Sequence, residues 1–126
     1  MNKTTKQLAV AIPILLILDY LFIYLNLPIF ERQVIQVQKF SLKMKPEGGF
    51  MCYLFLIFGL YYFILKDERS PLDAFWLGLV IYGVFECTNY SLFKNWKSHM
   101  VVLDTIWGGV LFYLTTYFAY LLAKYL

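Results

Sequence analysis

Four long apolar segments constrain this chain more than any other feature of its sequence. They cover about residues 8–30, 50–65, 72–93 and 100–120, and polar stretches separate them. A transmembrane α-helix needs about 20 predominantly apolar residues, and each segment is close to that length. The turns on either side of the third segment are short, so consecutive helices must be neighbours. The sequence therefore predicts an all-α membrane protein, a four-transmembrane-helix antiparallel bundle that forms a single domain over residues 1–126.

The composition agrees with a multi-pass integral membrane protein whose main partner is the lipid bilayer. Of its 126 residues, 61% are hydrophobic and only 15% are charged, whereas a soluble domain of this size needs more polar side chains to cover its surface. The net charge of +3 is spread over loops and termini, which argues against nucleic-acid binding. No motif indicates a cofactor, so none is predicted. A homo-oligomer is compatible with so small a bundle, although nothing in the sequence specifies one.

The polar segment 31–49 is the longest connection in the chain. Apolar residues alternate loosely with Gln, Arg and Lys, which favours a short amphipathic piece lying on the membrane surface. Basic residues divide five against six between the two sides of the predicted bundle, so the positive-inside rule does not fix its orientation. Cys52 and Cys87 fall inside apolar segments, where we interpret them as buried small hydrophobes.

Three acidic residues interrupt the apolar segments. Asp19 and Glu86 each lie about eight residues before the polar end of their helix, and Asp104 lies five residues after His99. These helix ends share one side of the predicted bundle, and a helix rises ~1.5 Å per residue. The three carboxyl groups are therefore expected at a common depth, roughly 8–13 Å below one surface. Because a lipid-facing acid is costly, all three should face inward.

Helical periodicity supports this placement. Tyr82, Glu86, Asn89 and Phe93 recur with helical spacing along one stripe of the third segment. On the fourth segment the corresponding stripe is formed by Asp104, Gly108, Leu111 and Thr115, with Trp107 beside it. The adjacent glycines at positions 108 and 109 would allow another backbone to approach closely where Asp104 points.

No Lys, Arg or His lies deep within a predicted span to neutralise these acids. Three close carboxylates cannot all be ionised in a low-dielectric site. Some of them can stay protonated and hydrogen-bonded, a bound cation can balance them, or a basic residue can fold in from the rim. The rim residues are Lys94, Trp96, Lys97 and His99. A metal site would have to be rich in oxygen ligands, since the sequence offers no His or Cys ligand pair.

Several of these residues carry a resemblance to a known family. In chain order they are Tyr82-Gly83, Glu86, Thr88-Asn89, Trp96, Asp104 and Trp107-Gly108. This order resembles the signature of the membrane family called domain of unknown function 2177, roughly YG-x-x-D-x-TN, a turn with W, then D-x-x-WG. The match extends more weakly to Asp19 and Gly59. The chain departs from the pattern at Glu86, where the family usually has Asp, and at Phe22, where it usually has Trp.

The resemblance implies a four-helix membrane protein. Its motif also contains the polar residues that we expect at a common depth. It implies no particular activity. From the residues themselves we predict an inward-facing polar site that binds or translocates a proton or cation, with Asp19, Glu86, Asn89 and Asp104 at its centre. Tyr82 and Trp107, which lie on or beside the same stripes, and Thr88, which the resemblance adds, complete the candidate site. Two alternatives stay open at this stage. One is an intramembrane lipid-modifying enzyme that uses the same acids, and the other is a structural or assembly protein whose acids tie helices together.

Overall fold

The structure is a computed structural model and describes residues 1–39 and 45–126. These described residues form four α-helices and one π-helical segment and contain no strand. The helices are α1 (Lys3–Gln38), α2 (Pro46–Leu60), α3 (Pro71–Leu92) and α4 (Ser98–Ala123), and the π-helical segment Tyr61–Leu65 continues α2. All four helices are long and apolar enough to cross a membrane, counting α2 together with its π-helical end. The predicted four-helix membrane bundle is thus confirmed.

Helix α1 is longer than the sequence predicted. It begins at Lys3 because the Asn2 side chain caps it, with Oδ1 accepting a hydrogen bond from the Thr5 N–H at 2.8 Å. It continues beyond residue 30 to Gln38, and Lys39 then adopts a left-handed conformation that ends it. The residues from position 31 onward are mostly polar and do not continue the apolar pattern, but none of those up to Gln38 is a helix breaker such as proline or glycine.

The predicted surface-lying segment 31–49 consequently takes a different form. Its first part continues α1, and its last part already belongs to α2, which begins at Pro46. Proline is well suited to the first position of a helix, since its missing N–H has no partner there in any case. Residues 40–44, in the middle of the predicted segment, lie outside the described residues.

The ends of α3 and α4 lie close to their predicted positions. Helix α3 starts at Pro71, where the Ser70 hydroxyl caps the helix by accepting from the Asp73 N–H at 3.1 Å. It ends at Leu92 because Phe93 has an extended backbone. Helix α4 runs three residues beyond the predicted end at 120, to Ala123.

Helix α4 is the centre of the bundle and packs against both α3 and α1. Leu111 and Phe112 of α4 and Leu15 of α1 are completely buried. Where α3 crosses α4, the backbones meet at glycines. A Cβ atom added to Gly78 would overlap the carbonyl oxygen of Gly108, so this crossing requires the absence of a side chain.

Large apolar side chains cover the outside of the bundle. Phe55, Val84 and Ile106 are each more than half exposed, as expected where lipid is the solvent. Cys52 and Cys87 are also exposed. Their interpretation as buried residues was wrong, because apolar sequence context does not distinguish a lipid-facing position from a core position.

Candidate functional site

The three acidic side chains all lie in the interior of the bundle. Glu86 is 1% exposed, Asp19 6% and Asp104 8%, although each belongs to a different helix. On α4, the stripe that begins at Asp104 is buried along its length, at Gly108, Leu111 and Thr115. The helical periodicity therefore identified the inward face of α4 correctly.

Glu86 and Asp104 form a pair across the α3–α4 interface. Their carboxyl groups are near enough to interact with each other electrostatically. Two carboxyl groups can share a hydrogen bond only if one of them holds a proton, because an ionised carboxylate has no donor. Among the described residues, no Lys, Arg or His forms a salt bridge with either acid. We refer to Glu86 and Asp104 as the carboxyl pair.

Trp96, in the α3–α4 turn, contacts Glu86 of the carboxyl pair. Its indole Nε1–H donates a hydrogen bond to Glu86 Oε1 at 2.9 Å, and its ring lies 5.9 Å from that of Phe93. The sequence placed Trp96 on the rim with the basic residues. In the structure its indole N–H reaches from the turn to Glu86, in keeping with the tendency of partly buried indoles to find a hydrogen-bond acceptor.

The position of this turn is fixed by the extension of α1. The Gln33 side chain is buried and makes two hydrogen bonds to the turn backbone. Its Nε2 donates to the carbonyl oxygen of Asn95 at 2.7 Å, and its Oε1 accepts from the N–H of Lys97 at 2.9 Å. Gln33 thus holds the residues on both sides of Trp96 and supplies a partner for a backbone N–H at the start of α4.

Asp19 has a different environment from the carboxyl pair. The Tyr53 hydroxyl of α2 donates to Asp19 Oδ2, and the Trp107 indole of α4 donates to Oδ1 at 3.0 Å. Phe22 stacks flat on the Trp107 ring, with centroids 4.5 Å apart and planes 6° apart. Asp19 therefore joins α1, α2 and α4. We refer to Asp19, Tyr53 and Trp107 as the Asp19 junction.

Tyr82 lies between the two groups of acids. It is near enough to Asp19 and to Asp104 to interact electrostatically with both. Its ring also packs against Gly108, where any Cβ atom would overlap it. The glycine in the predicted motif therefore makes room for the tyrosine, which fills the space between the carboxyl pair and the Asp19 junction.

The structure does not bring every predicted site residue to this centre. The Thr88 side chain is exposed, and its hydroxyl donates to the Val84 carbonyl oxygen of its own helix at 2.6 Å. Asn89 is half-buried on the α3 face that carries Glu86. The basic rim residues Lys94, Lys97 and His99 are exposed and stay at the helix ends.

Two contributors were missed in the sequence. Tyr53 lies in the uncharged second apolar segment, and Gln33 in the segment that was predicted to lie on the membrane surface. Counting from Pro46 would have placed Tyr53 about 10 Å into α2, near the expected depth of the acids. Gln33 offered no comparable signal, since its role depends on the unbroken extension of α1.

The carboxyl pair offers few protein ligands to a metal ion. Among the described residues, no group of three or more His, Cys, Asp or Glu side chains is arranged to hold a metal. Asp19 accepts hydrogen bonds from Tyr53 and Trp107, which leaves Glu86 and Asp104 as the remaining two acids. Hard cations such as Mg²⁺ and Ca²⁺ bind about six or more oxygen ligands, several of which can be water, and a single proton can join two carboxyl groups.

Comparison with known proteins identifies the family and nothing narrower. No curated protein matches the chain. No solved structure matches it either. A family model matches residues 4–121, nearly the whole chain, which confirms the resemblance seen in the motif residues. The chain therefore belongs to the family described as Predicted membrane protein (DUF2177).

Proposed function

We propose that this multi-pass membrane protein binds and exchanges a proton at the carboxyl pair, as part of proton or cation movement across the bilayer. The observation that carries the proposal is the burial of two interacting carboxyl groups, Glu86 and Asp104, inside the bundle. Intramembrane acids are costly, and they commonly mark ion pathways and proton relays.

The surroundings of the pair favour a shared proton. No basic side chain among the described residues pairs with either acid, so their negative charge is not balanced by an ion pair. Two neighbouring carboxylates repel each other strongly at low dielectric, and retaining one proton removes that repulsion. The proton that joins them is also the one that a conformational change can release.

Access to the pair is closed on both sides in this conformation. On the side of the α3–α4 turn, Trp96 covers Glu86. Toward the opposite side, Leu15, Leu111 and Phe112 belong to the apolar core and are completely buried. We infer that exchange occurs when the turn moves, because a turn held by a few polar contacts opens more easily than a packed helix interface.

Proton flux into liposomes that contain the purified protein tests the proposal. We expect Glu86→Gln and Asp104→Asn each to abolish the flux while the bundle stays folded. Asp67→Asn is the matched control, since Asp67 is an exposed acid in the α2–α3 turn. Flux that persists in both pair variants would refute the proposal, as would the absence of flux from folded wild-type protein.

The same variants separate the two alternatives. A lipid-modifying enzyme should change the extracted lipids of cells that produce it, and this change should depend on Glu86 without any proton flux. A purely structural role for the carboxyl pair should appear as a lower unfolding temperature of both variants with no flux in the wild type.

A further inference from the structure

We propose that the end of the bundle opposite the carboxyl pair holds a binding site for the headgroup of an anionic phospholipid that combines a phosphate with a hydroxyl donor. The site is a cavity of about 300 Å³ where α1 begins and α4 ends. Pockets for small ligands typically measure about 300–1,000 Å³, so a headgroup fits at the lower limit.

The charge of the cavity favours an anion. Lys3, Lys6, Lys124 and Glu68 line it, three positive charges against one negative, which leaves a net charge of +2. Glu68 is already paired with Lys3 at 2.9 Å. Lys124 makes no hydrogen bond or salt bridge to other described residues, so its ammonium group is available to a phosphate.

A buried polar group points to a specific feature of the ligand. Gln7 lines the cavity and is only 3% exposed, yet its Oε1 has no hydrogen-bond partner among the described residues. A buried acceptor without a donor is unfavourable. A headgroup hydroxyl beside the phosphate would supply that donor, whereas a choline headgroup has no N–H or O–H to offer.

The walls of the cavity are held in place before any ligand arrives. The Lys6 ammonium donates to the Leu126 carbonyl oxygen at 3.0 Å, which joins α1 to the end of α4. The Tyr120 hydroxyl donates to the Arg69 carbonyl oxygen at 2.6 Å, which joins α4 to the α2–α3 turn. A prearranged cavity lowers the ordering cost of binding.

The position of the cavity distinguishes a lipid from a dissolved anion. The start of α1, the α2–α3 turn and the end of α4 all meet there, at the ends of membrane-length helices. Phosphates of the bilayer lie at this level, and basic residues beside a span attract anionic lipids.

The test compares phosphatidylglycerol with phosphatidylmethanol, which has the same charge but no headgroup hydroxyl. Binding of each to the purified protein is measured in competition with phosphatidylcholine. We expect wild type to prefer phosphatidylglycerol over phosphatidylmethanol by about fivefold, the worth of one hydrogen bond. Gln7→Leu should remove this preference while both anionic lipids still bind better than phosphatidylcholine.

Charge variants test the phosphate contact separately. Lys124→Gln should lower the binding affinity for both anionic lipids about fivefold. Lys66→Gln is the matched control, because Lys66 belongs to the same side of the bundle but lies over the Tyr62 ring, outside the cavity. Equal losses in the two variants would indicate general surface attraction and overturn the proposal. So would an unchanged lipid preference in Gln7→Leu.

Competition with soluble glycerol phosphate distinguishes a lipid ligand from a dissolved phosphate ester. Added to protein in phosphatidylcholine, it should not compete with phosphatidylglycerol at comparable concentration, since it lacks the chains that hold the headgroup at the cavity. Effective competition would assign the site to a dissolved phosphate ester and contradict a lipid ligand.

Discussion

The Asp19 junction and the carboxyl pair contain the same chemical group in the same protein interior, yet the surroundings differ. Asp19 receives one donor on each oxygen, from Tyr53 and Trp107. Among the described residues, Glu86 receives one side-chain hydrogen bond, from the Trp96 indole, and it interacts with Asp104, another acid. A carboxylate surrounded by donors has its charge stabilised in place, whereas two facing acids need a proton between them. Burial alone therefore does not distinguish these two kinds of acid, whereas their hydrogen-bond partners do.

Gly78→Ala should have the largest effect on stability, and it should affect the carboxyl pair more than the Asp19 junction. The added Cβ meets backbone at Gly108, which cannot move aside as a side chain could. We expect a loss of about 2–3 kcal/mol in the free energy of unfolding. The α3–α4 contact that forms the carboxyl pair should loosen, while the Asp19 junction, which involves no residue of α3, should persist.

Gly59→Ala is the control, because a Cβ at Gly59 meets nothing within 4 Å. It should leave stability unchanged or raise it slightly, as alanine favours a helix. Reversible unfolding in detergent measures both variants. Equal losses in the two would contradict the close crossing at Gly78.

Asp19→Leu should cost somewhat less, about 1–2 kcal/mol, because interhelical hydrogen bonds in membrane proteins contribute about 0.6 kcal/mol on average and at most about 1.7. The variant leaves the donors of Tyr53 and Trp107 without their acceptor. A double-mutant cycle with Tyr53→Phe should show a favourable coupling. Strict additivity of the two substitutions would mean that the Tyr53–Asp19 contact contributes nothing.

Glu86→Gln should change stability by less than about 1 kcal/mol. Gln has nearly the same shape, and its amide oxygen can still accept from the Trp96 indole. Its amide N–H can also donate to Asp104 without any titrating proton. Proton flux should nevertheless be lost. A large loss of stability, similar to that of Asp19→Leu, would place the carboxyl pair in the same structural class as the Asp19 junction.

Trp96→Phe should have the smallest effect on stability, about 0.5 kcal/mol, because the aromatic contact with Phe93 is retained and only the N–H is removed. Without this hydrogen bond the carboxyl pair should be more accessible from the α3–α4 turn. Flux in liposomes should therefore rise above that of the wild type. A lower flux would mean that the indole conducts protons to the pair instead of closing it.

The sequence predicted the fold class well because membrane-length apolar segments leave few choices of architecture. It also indicated that Glu86 on α3 and Asp104 on α4 face inward, because an acid within an apolar segment is costly against lipid. It could not reveal the different partners of the acids. Those depend on how far helices extend and rotate, as Gln33 and Tyr53 illustrate.

The most direct test of the shared proton is an infrared measurement of protonated carboxyl groups at neutral pH in wild type, in Asp19→Asn, and in a double variant that combines Glu86→Gln with Asp104→Asn. We predict a protonated-carboxyl band in the wild type that persists in Asp19→Asn and disappears in the double variant. A band that disappears in Asp19→Asn and persists in the double variant, or no band in folded wild-type protein, would contradict the assignment of the proton to the carboxyl pair.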